Sequence, residues 1–324
     1  MDSVERKQLV NIAKMYYEEN LTQAEIARYL GVSRPTISRM LSEAKERGLV
    51  KIFIADVFEN TGELERSLME LFSLQAVRVV SVKPGDEKLI LHITAKESAI
   101  FAARFLSPND CIGMAWGNTL YELVRNLPSL SFPDVRVVQL MGNIDSATVR
   151  SYAMEIIETT SARLGTKHAF TLPCPVIVDN KIISDILKHD AKINQILQLA
   201  SNCDKMFINL ALPDKHSCLY QAGYVGDTDL ITLNEAYSVG SIGCRFIDER
   251  GVMSDPKLDE RTIGVSLDDV KRSECVLACV ADNRKAPVLH ASLVGGYIDV
   301  LMVDSITAKL VLDIHMNEQT SIDT

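Results

Sequence analysis

From Ala76 onward, short runs of nearly continuous apolar residues alternate with segments of helical period. The runs are AVRVVSV (76–82), CIGMAWG (111–117), VRVVQLMG (135–142), KHAFTL (167–172), CDKMFINLAL (203–212), ECVLACVA (274–281) and YIDVLMV (297–303). VGSIGCRFID (239–248) reads as one more strand, bent at its glycines. Helices are expected over 86–106, 118–126, 146–164, 179–200, 230–237, 284–294 and 305–314. A strand that is apolar throughout is covered on both faces, and strands joined through helices run parallel. The pattern predicts an α/β domain built on a doubly wound, mostly parallel sheet.

Ligands of such sheets bind beyond the carboxyl ends of the strands. Three segments lie there: Trp116 to Thr119, Gln139 to Asp145, and Asp282 to Lys285. In the first, Gly117 lets a backbone approach a ligand, and Asn118 and Thr119 open a helix whose free N–H groups suit an anion. Ordinary strand-to-helix punctuation explains the glycine equally well. The chain has no GxxxxGK[ST] loop, and no GxGxxG follows the first strand, so nucleotide-binding fingerprints are missing. Lys285 suits a phosphate or a Schiff base, but also a solvated surface. Asp145 and Asp248 suit ligand hydroxyls or loop capping. Trp116, His168 and His290 fit structural roles. No paired-carboxylate or Ser-His-Asp spacing stands out.

The first 55 residues follow a different pattern. Val4 to Glu19 is amphipathic, with Leu9, Ile12, Ala13 and Tyr16 on one face. Thr22 and Glu25 form a capping box for a helix over Gln23 to Leu30, burying Ala24, Ile26, Ala27 and Leu30. Gly31 stops it, and Val32 is expected to fill the angle between helices. Ser33 caps a third helix with Pro35 in its first turn and Ile37, Met40, Leu41 and Ala44 inward. Gly48 ends it, and Leu49 to Ile54 reads as a strand. Two short helices around a glycine turn are a helix-turn-helix, whose second helix enters the major groove N-terminus first. Arg34, Thr36, Ser38 and Arg39 are placed to reach bases or phosphates, with Thr22, Gln23, Ser33 and Pro35 at the helix starts. Arg28 and Lys45 are placed for the flanking backbone. A plain helical hairpin with a solvated basic face is the alternative.

Charge follows the same division. Residues 1–54 hold nine Lys/Arg against seven Asp/Glu, whereas the remainder holds 25 against 36. A weakly basic module ahead of an acidic body points to a polyanion at the N-terminal part alone. The seven Cys contain no CxxC pair and the six His no HxH or HxxxH pair, so neither a disulfide framework nor a zinc site is expected. Buried free thiols fit better. No apolar run reaches the length of a membrane span, and the N-terminus lacks the core of a secretory signal. The expected location is the cytoplasm, with no membrane partner and no cofactor. Asp56 to Gly62 (56–62) is the expected linker between a DNA-binding domain over 1–55 and an effector-binding, oligomerising domain over 63–324, whose first helix covers about Glu63 to Phe72.

LTQAEIARYLGVSRPTISRML (21–41), IGMAWGNTL (112–120), VVQLMG (137–142), SVGSIGCRFIDERG (238–251), RTIGVSLDDVKR (261–272) and KAPVLHASLVGGYIDVLMVDSITAKLVL (285–312) together resemble the SorC family of transcriptional regulators. The resemblance runs from about Ala13 to Leu312. It implies a large domain similar in fold to sugar-phosphate isomerases and deaminases that senses a sugar, usually phosphorylated. By position it implies Gly117, Asn118 and Thr119 as the anion-binding turn, Gln139 and Gly142 on a pocket strand end, Lys285 as the pocket lysine, and Asp248 in the matching Phe-Ile-Asp stretch. Two positions depart from the family pattern. Val280-Ala281-Asp282 stands where Ala-Gly-Gly is common, and Ser241 stands where Asp is common. An Asp beside a phosphate repels a dianion, so an unphosphorylated sugar or polyol competes as effector.

The expected function is sequence-specific regulation of a carbohydrate operon, controlled by a small sugar, polyol or sugar phosphate. A dimer or tetramer is expected because one helix reads too few base pairs, with residues 57–75 and the sheet domain at the interface. The competing readings are a sugar-phosphate isomerase or deaminase with an appended DNA module, and a constitutive DNA-binding protein with a vestigial sheet domain.

Overall fold

A computed structural model describes residues 3–17, 19, 21–47, 49–50 and 61–322. The chain divides into two compact units, residues 1–55 and 56–324.

The first unit contains α1 (Ser3–Tyr17), α2 (Gln23–Leu30) and α3 (Arg34–Glu46). The capping box of α2 is formed: Thr22 Oγ1 accepts from Glu25 N, and Glu25 Oε2 accepts from Thr22 N. Gly31 closes α2 in the left-handed conformation at φ 67°. Leu9, Ile12, Met15, Ile26, Ala27, Ile37, Leu41 and Ala44 are buried between the helices. Ala24 instead faces outward, and Val32 is 39% exposed, so neither fills the interior. The predicted strand is not seen at Leu49 and Val50, and its remainder lies outside the described residues, as does Gly48.

The second unit begins with α4 (Thr61–Phe72), so residues 61 and 62 are helical rather than linker; residues 56–60 lie outside the described residues. There follow β1 (Ala76–Val80), α5 (Glu87–Ala102), β2 (Cys111–Met114), α6 (Asn118–Arg125), β3 (Arg136–Gln139), α7 (Ala153–Leu164) and β4 (His168–Phe170). Then come α8 (Lys181–His189), α9 (Ala191–Ser201), β5 (Lys205–Ile208), β6 (Leu210–Ala211), α10 (Cys218–Gln221), α11 (Asp227–Glu235), β7 (Ser238–Ile242) and β8 (Arg245–Asp248). The last elements are α12 (Pro256–Arg261), α13 (Leu267–Arg272), β9 (Cys275–Val280), α14 (Ala286–Val294), β10 (Val300–Asp304) and α15 (Ser305–Ile322).

Seven strands form one parallel sheet in the order β1-β10-β9-β5-β2-β3-β4. Strands β2, β9 and β10 are buried at every residue, as their unbroken apolar runs require, so both faces are covered. The chain leaves β2 for β3 and β4 on one side, then returns across to β5 on the other. The sheet therefore has its switch point between β2 and β5, where a crevice opens at the carboxyl ends.

The structure departs from the sequence reading in two strands and one helix start. The 203–212 run breaks at Asn209, so β5 stays in the large sheet and β6 joins an antiparallel three-stranded sheet, β6-β7-β8. The 239–248 run is a hairpin, because Gly243 (φ 53°) and Cys244 (φ 70°) both turn left-handed between β7 and β8. Helix α7 starts only at Ala153, after Tyr152 at φ 59°. The helices α10, α12 and α13, of four, six and six residues, went unread because they are too short to show a period.

Candidate functional site

On α3, Arg34, Pro35, Ser38 and Arg39 are exposed, Thr36 is half-buried and Ile37 is buried. The inward pull of Ile37 and Leu41 thus turns the polar positions outward. Ser33 Oγ accepts from Thr36 N at 3.3 Å and lies 2.7 Å from Thr36 Oγ1, so the start of the helix is capped and Thr36 is held. Thr22 and Arg28 are exposed on α2 and Gln23 is half-buried. The hydrogen bonds from Thr22 hold the Glu25 carboxyl below the ordinary carboxylate range, with a smaller contribution from Arg28. Lys45 is exposed, its Nζ 5.7 Å from the Tyr17 ring centroid.

In the large unit, a cavity of about 220 Å³ lies at the switch point. Its wall brings together Trp116, Gly117, Asn118 and Thr119 after β2, Asn209 after β5, and Asp282, Arg284 and Lys285 after β9. The segment from Leu210 to Leu219 and residues Ser241, Cys244 and Phe246 of the hairpin complete it. Gly117 is the N-cap of α6 at φ 135° and supplies no side-chain cap. The first-turn N–H groups of α6 therefore have no partner from their own cap residue. A Cβ on Gly117 would also sit 3.6 Å from Asn209 Nδ2.

Lys285 lies at the entry to α14 and lines the same cavity. Burial pushes its amine below the usual lysine value, against the opposing pull of Asp282, and its Nζ makes no hydrogen bond among the described residues. Asp282 does not confront the cavity as a bare charge. Arg284 Nε and Nη2 donate to its two carboxylate oxygens at 3.0 and 2.9 Å, and Arg284 N caps onto it. Burial opposes ionisation of Asp282, but Arg284 and Lys285 outweigh it and hold the carboxyl below its ordinary value. Burial disfavours the thiolate of all three cysteines of the cavity, pushing Cys244 and Cys279 up to about 12 and raising Cys218 as well.

Three residues assigned to the pocket by resemblance stand elsewhere. Gln139 is buried and spent on structure, donating to Met141 O and Asn143 Oδ1 and accepting from Leu172 N. Gly142 packs where a Cβ would meet Pro175 O at 2.4 Å; it touches the site only through its carbonyl, which accepts from Trp116 Nε1. Asp248 accepts from Arg250 N and Val252 N and closes the turn after β8. Asp145, also considered, is exposed, and its N donates to Tyr224 Oη. Arg284 lies within the Asp282 to Lys285 segment marked from the sequence, whereas sequence reasoning missed Asn209, Asp214 and His216. Only Asn209 left a trace: it is the one polar residue inside an otherwise apolar run, FINLAL.

All seven cysteines are free, and six of them are buried. No described helix is long and apolar enough to cross a membrane.

The family described as "Putative sugar-binding domain" matches residues 56–313, and the Crp-like helix-turn-helix domain matches residues 8–57. The chain is 30% identical to the deoxyribonucleoside regulator of Bacillus subtilis, over 97% of this chain and 99% of that protein. It is 27% identical to the sorbitol operon regulator of Klebsiella pneumoniae, over 94% and 97%. The crystal structure of that full-length regulator from Klebsiella pneumoniae superposes with a TM-score of 0.72 at 28% identity, covering 96% of this chain and 99% of that one. These relatives are regulators, which decides against the isomerase or deaminase reading. The chain belongs to the SorC family: it is a DNA-binding transcriptional regulator with an N-terminal helix-turn-helix and a C-terminal sugar-binding domain.

Proposed function

We propose that α3 reads operator DNA through Arg34, Thr36, Ser38 and Arg39, and that the switch-point cavity takes a small carbohydrate carrying one anionic group. The observation behind the second half is the meeting of the uncapped α6 start with Lys285, a cation without a hydrogen-bonded partner among the described residues. Both favour negative charge in a site partly shielded from water. The charge of Asp282, which the sequence sets against a phosphate, is taken up by Arg284. A phosphorylated sugar or polyol is therefore the favoured effector. The cavity is smaller than the roughly 300–1,000 Å³ of drug-sized sites, which suits a molecule of monosaccharide size.

Regulation requires that the effector bind the DNA-competent and DNA-incompetent states with different affinity. The protein acts in the cytoplasm as a homo-oligomer, since paired half-sites need paired recognition helices. Met69 and Leu71 on α4, 37% and 45% exposed, support a contribution of this helix to the interface.

The test is to retain fragmented genomic DNA of the source organism on the purified chain and sequence it. Washes with sorbitol, sorbitol 6-phosphate and deoxyribose 5-phosphate follow. Enrichment of a few intergenic sites, with a phosphorylated wash changing retention, is expected. Unspecific retention that no carbohydrate alters contradicts the reading and favours the constitutive architectural protein.

A further inference from the structure

We propose that a second copy of this chain docks on the hairpin of α8 and α9: the isoleucine stripe of α8 seats in the groove between α9 and β4 of its partner, and the reciprocal contact closes the pair. This rests on the homo-oligomer reading above and names a surface for it.

Helix α8 turns its larger apolar side chains outward. Its inward side carries Ser184, buried, and Leu187, half-buried. Its outward side carries Ile182 and Ile186, 71% and 65% exposed and one turn apart, with Ile183, 38% exposed, beside them. A single exposed apolar residue is ordinary, but three isoleucines within five residues form a patch, and such patches mark interaction surfaces.

The groove belongs to the next helix. Strand β4 is the last of the seven-stranded sheet. Helix α7 packs on β3 and β4, and the connection from β4 back to β5 carries α9 under β3 on the opposite face. Between α9 and this sheet edge lies a groove of about 620 Å³, floored by the half-buried Phe170, Ile196 and Leu199. Arg136 and Lys192 stand on its rim, both exposed and neither with a hydrogen bond or ion pair among the described residues. An apolar floor under two unpaired cations suits an apolar stripe with acidic flanks. Helix α8 has that form. Beside its stripe Lys181 is taken by Glu260 at 2.7 Å and Lys188 is half-buried. Asp179 and Asp185 are exposed, and their carboxylates have no bonded partner among the described residues.

Within one chain the stripe faces solvent and the groove stays open, so the two meet only between copies. They also lie side by side: α8 and α9 pack together and share Asp190, the C-cap of one and the N-cap of the other. A two-fold axis beside this hairpin fills both grooves at once, which closes the contact instead of extending it into a filament.

The experiment is analytical ultracentrifugation of the full-length protein over a concentration series. Wild type is expected to self-associate. Ile182→Glu with Ile186→Glu, and separately Arg136→Glu with Lys192→Glu, should each weaken one association step about tenfold or more. Circular dichroism should stay at wild type, because all four side chains are exposed. Adding Asp179→Lys and Asp185→Lys to the Arg136→Glu and Lys192→Glu chain reverses the charges on both sides of the contact and should restore association toward wild type. A role confined to folding gives no such rescue. Association unchanged in both pairs of substitutions overturns the proposal and leaves the homo-oligomer reading standing. Loss with the isoleucine pair alone overturns it too, since the stripe then meets a surface other than the groove, and so does a charge exchange without rescue. If wild type is monomeric throughout, the homo-oligomer reading itself fails and this proposal falls with it.

Discussion

Helix α3 starts on Ser33, whose hydroxyl accepts from Thr36 N, whereas α6 starts on Gly117, which has no side chain to offer. In the reading proposed above, both helix starts meet anions. The difference follows from what each meets. A DNA backbone is a large, solvated polymer reached by long side chains, so a rigid, capped helix carrying Arg34 and Arg39 serves it. A small anion enclosed at a sheet's switch point is reached by the backbone itself, so the cap is omitted and the N–H groups remain for the ligand.

The comparison breaks first at the exposed end. Arg34→Ala combined with Arg39→Ala should cost about 1–3 kcal/mol of operator affinity per arginine. Mobility-shift titration should show specific binding lost, with unchanged thermal unfolding and unchanged effector affinity. Unaltered operator affinity removes α3 as the reading helix. Next is Lys285→Ala, which removes a charge-assisted contact worth about 1.5–3 kcal/mol to a phosphate ester. Calorimetry should report the weakened ester, while operator binding without effector persists. The lowered amine adds a sign. The ammonium is lost on raising the pH sooner than an ordinary lysine's. Ester affinity should therefore fall on the alkaline side, and Lys285→Ala should flatten that part of the profile.

Gly142→Ala sharpens the contrast between packing and binding. A Cβ there would meet the Pro175 carbonyl carbon and oxygen at 2.5 and 2.4 Å, so overpacking of about 1–3 kcal/mol is expected. Calorimetric melting should show the sheet domain destabilised. Thr22→Ala comes last, with about 0.5–2 kcal/mol lost from the cap of α2. It should lower the melting point of the N-terminal unit alone.

Much of the fold was legible where the local signal is complete. The bounds of α2, its capping box, the left-handed Gly31 and the Ser33 cap all follow from side chains within a few residues of one another. The parallel sheet was legible because buried strands are apolar throughout. The hairpin of β7 and β8 was not, since only the φ values of Gly243 and Cys244 separate a turn from a bend. The cavity was half legible. Gly117, Asn118, Thr119, Asp282 and Lys285 stand at strand ends that the alternation marks. Asn209, Asp214 and His216 come from a segment about ninety residues later in the chain than that turn and meet it only through the sheet order. Gln139 and Gly142 also end a strand, yet their side of it faces the Leu172 and Pro175 segment rather than the cavity.

The most direct test of the account is operator affinity of the full-length chain measured against rising concentrations of sorbitol 6-phosphate and deoxyribose 5-phosphate, with Lys285→Ala in parallel. The account predicts that one ester shifts wild-type affinity and that the variant needs about tenfold or more of it for the same shift. Coincident dose responses for wild type and variant would contradict it.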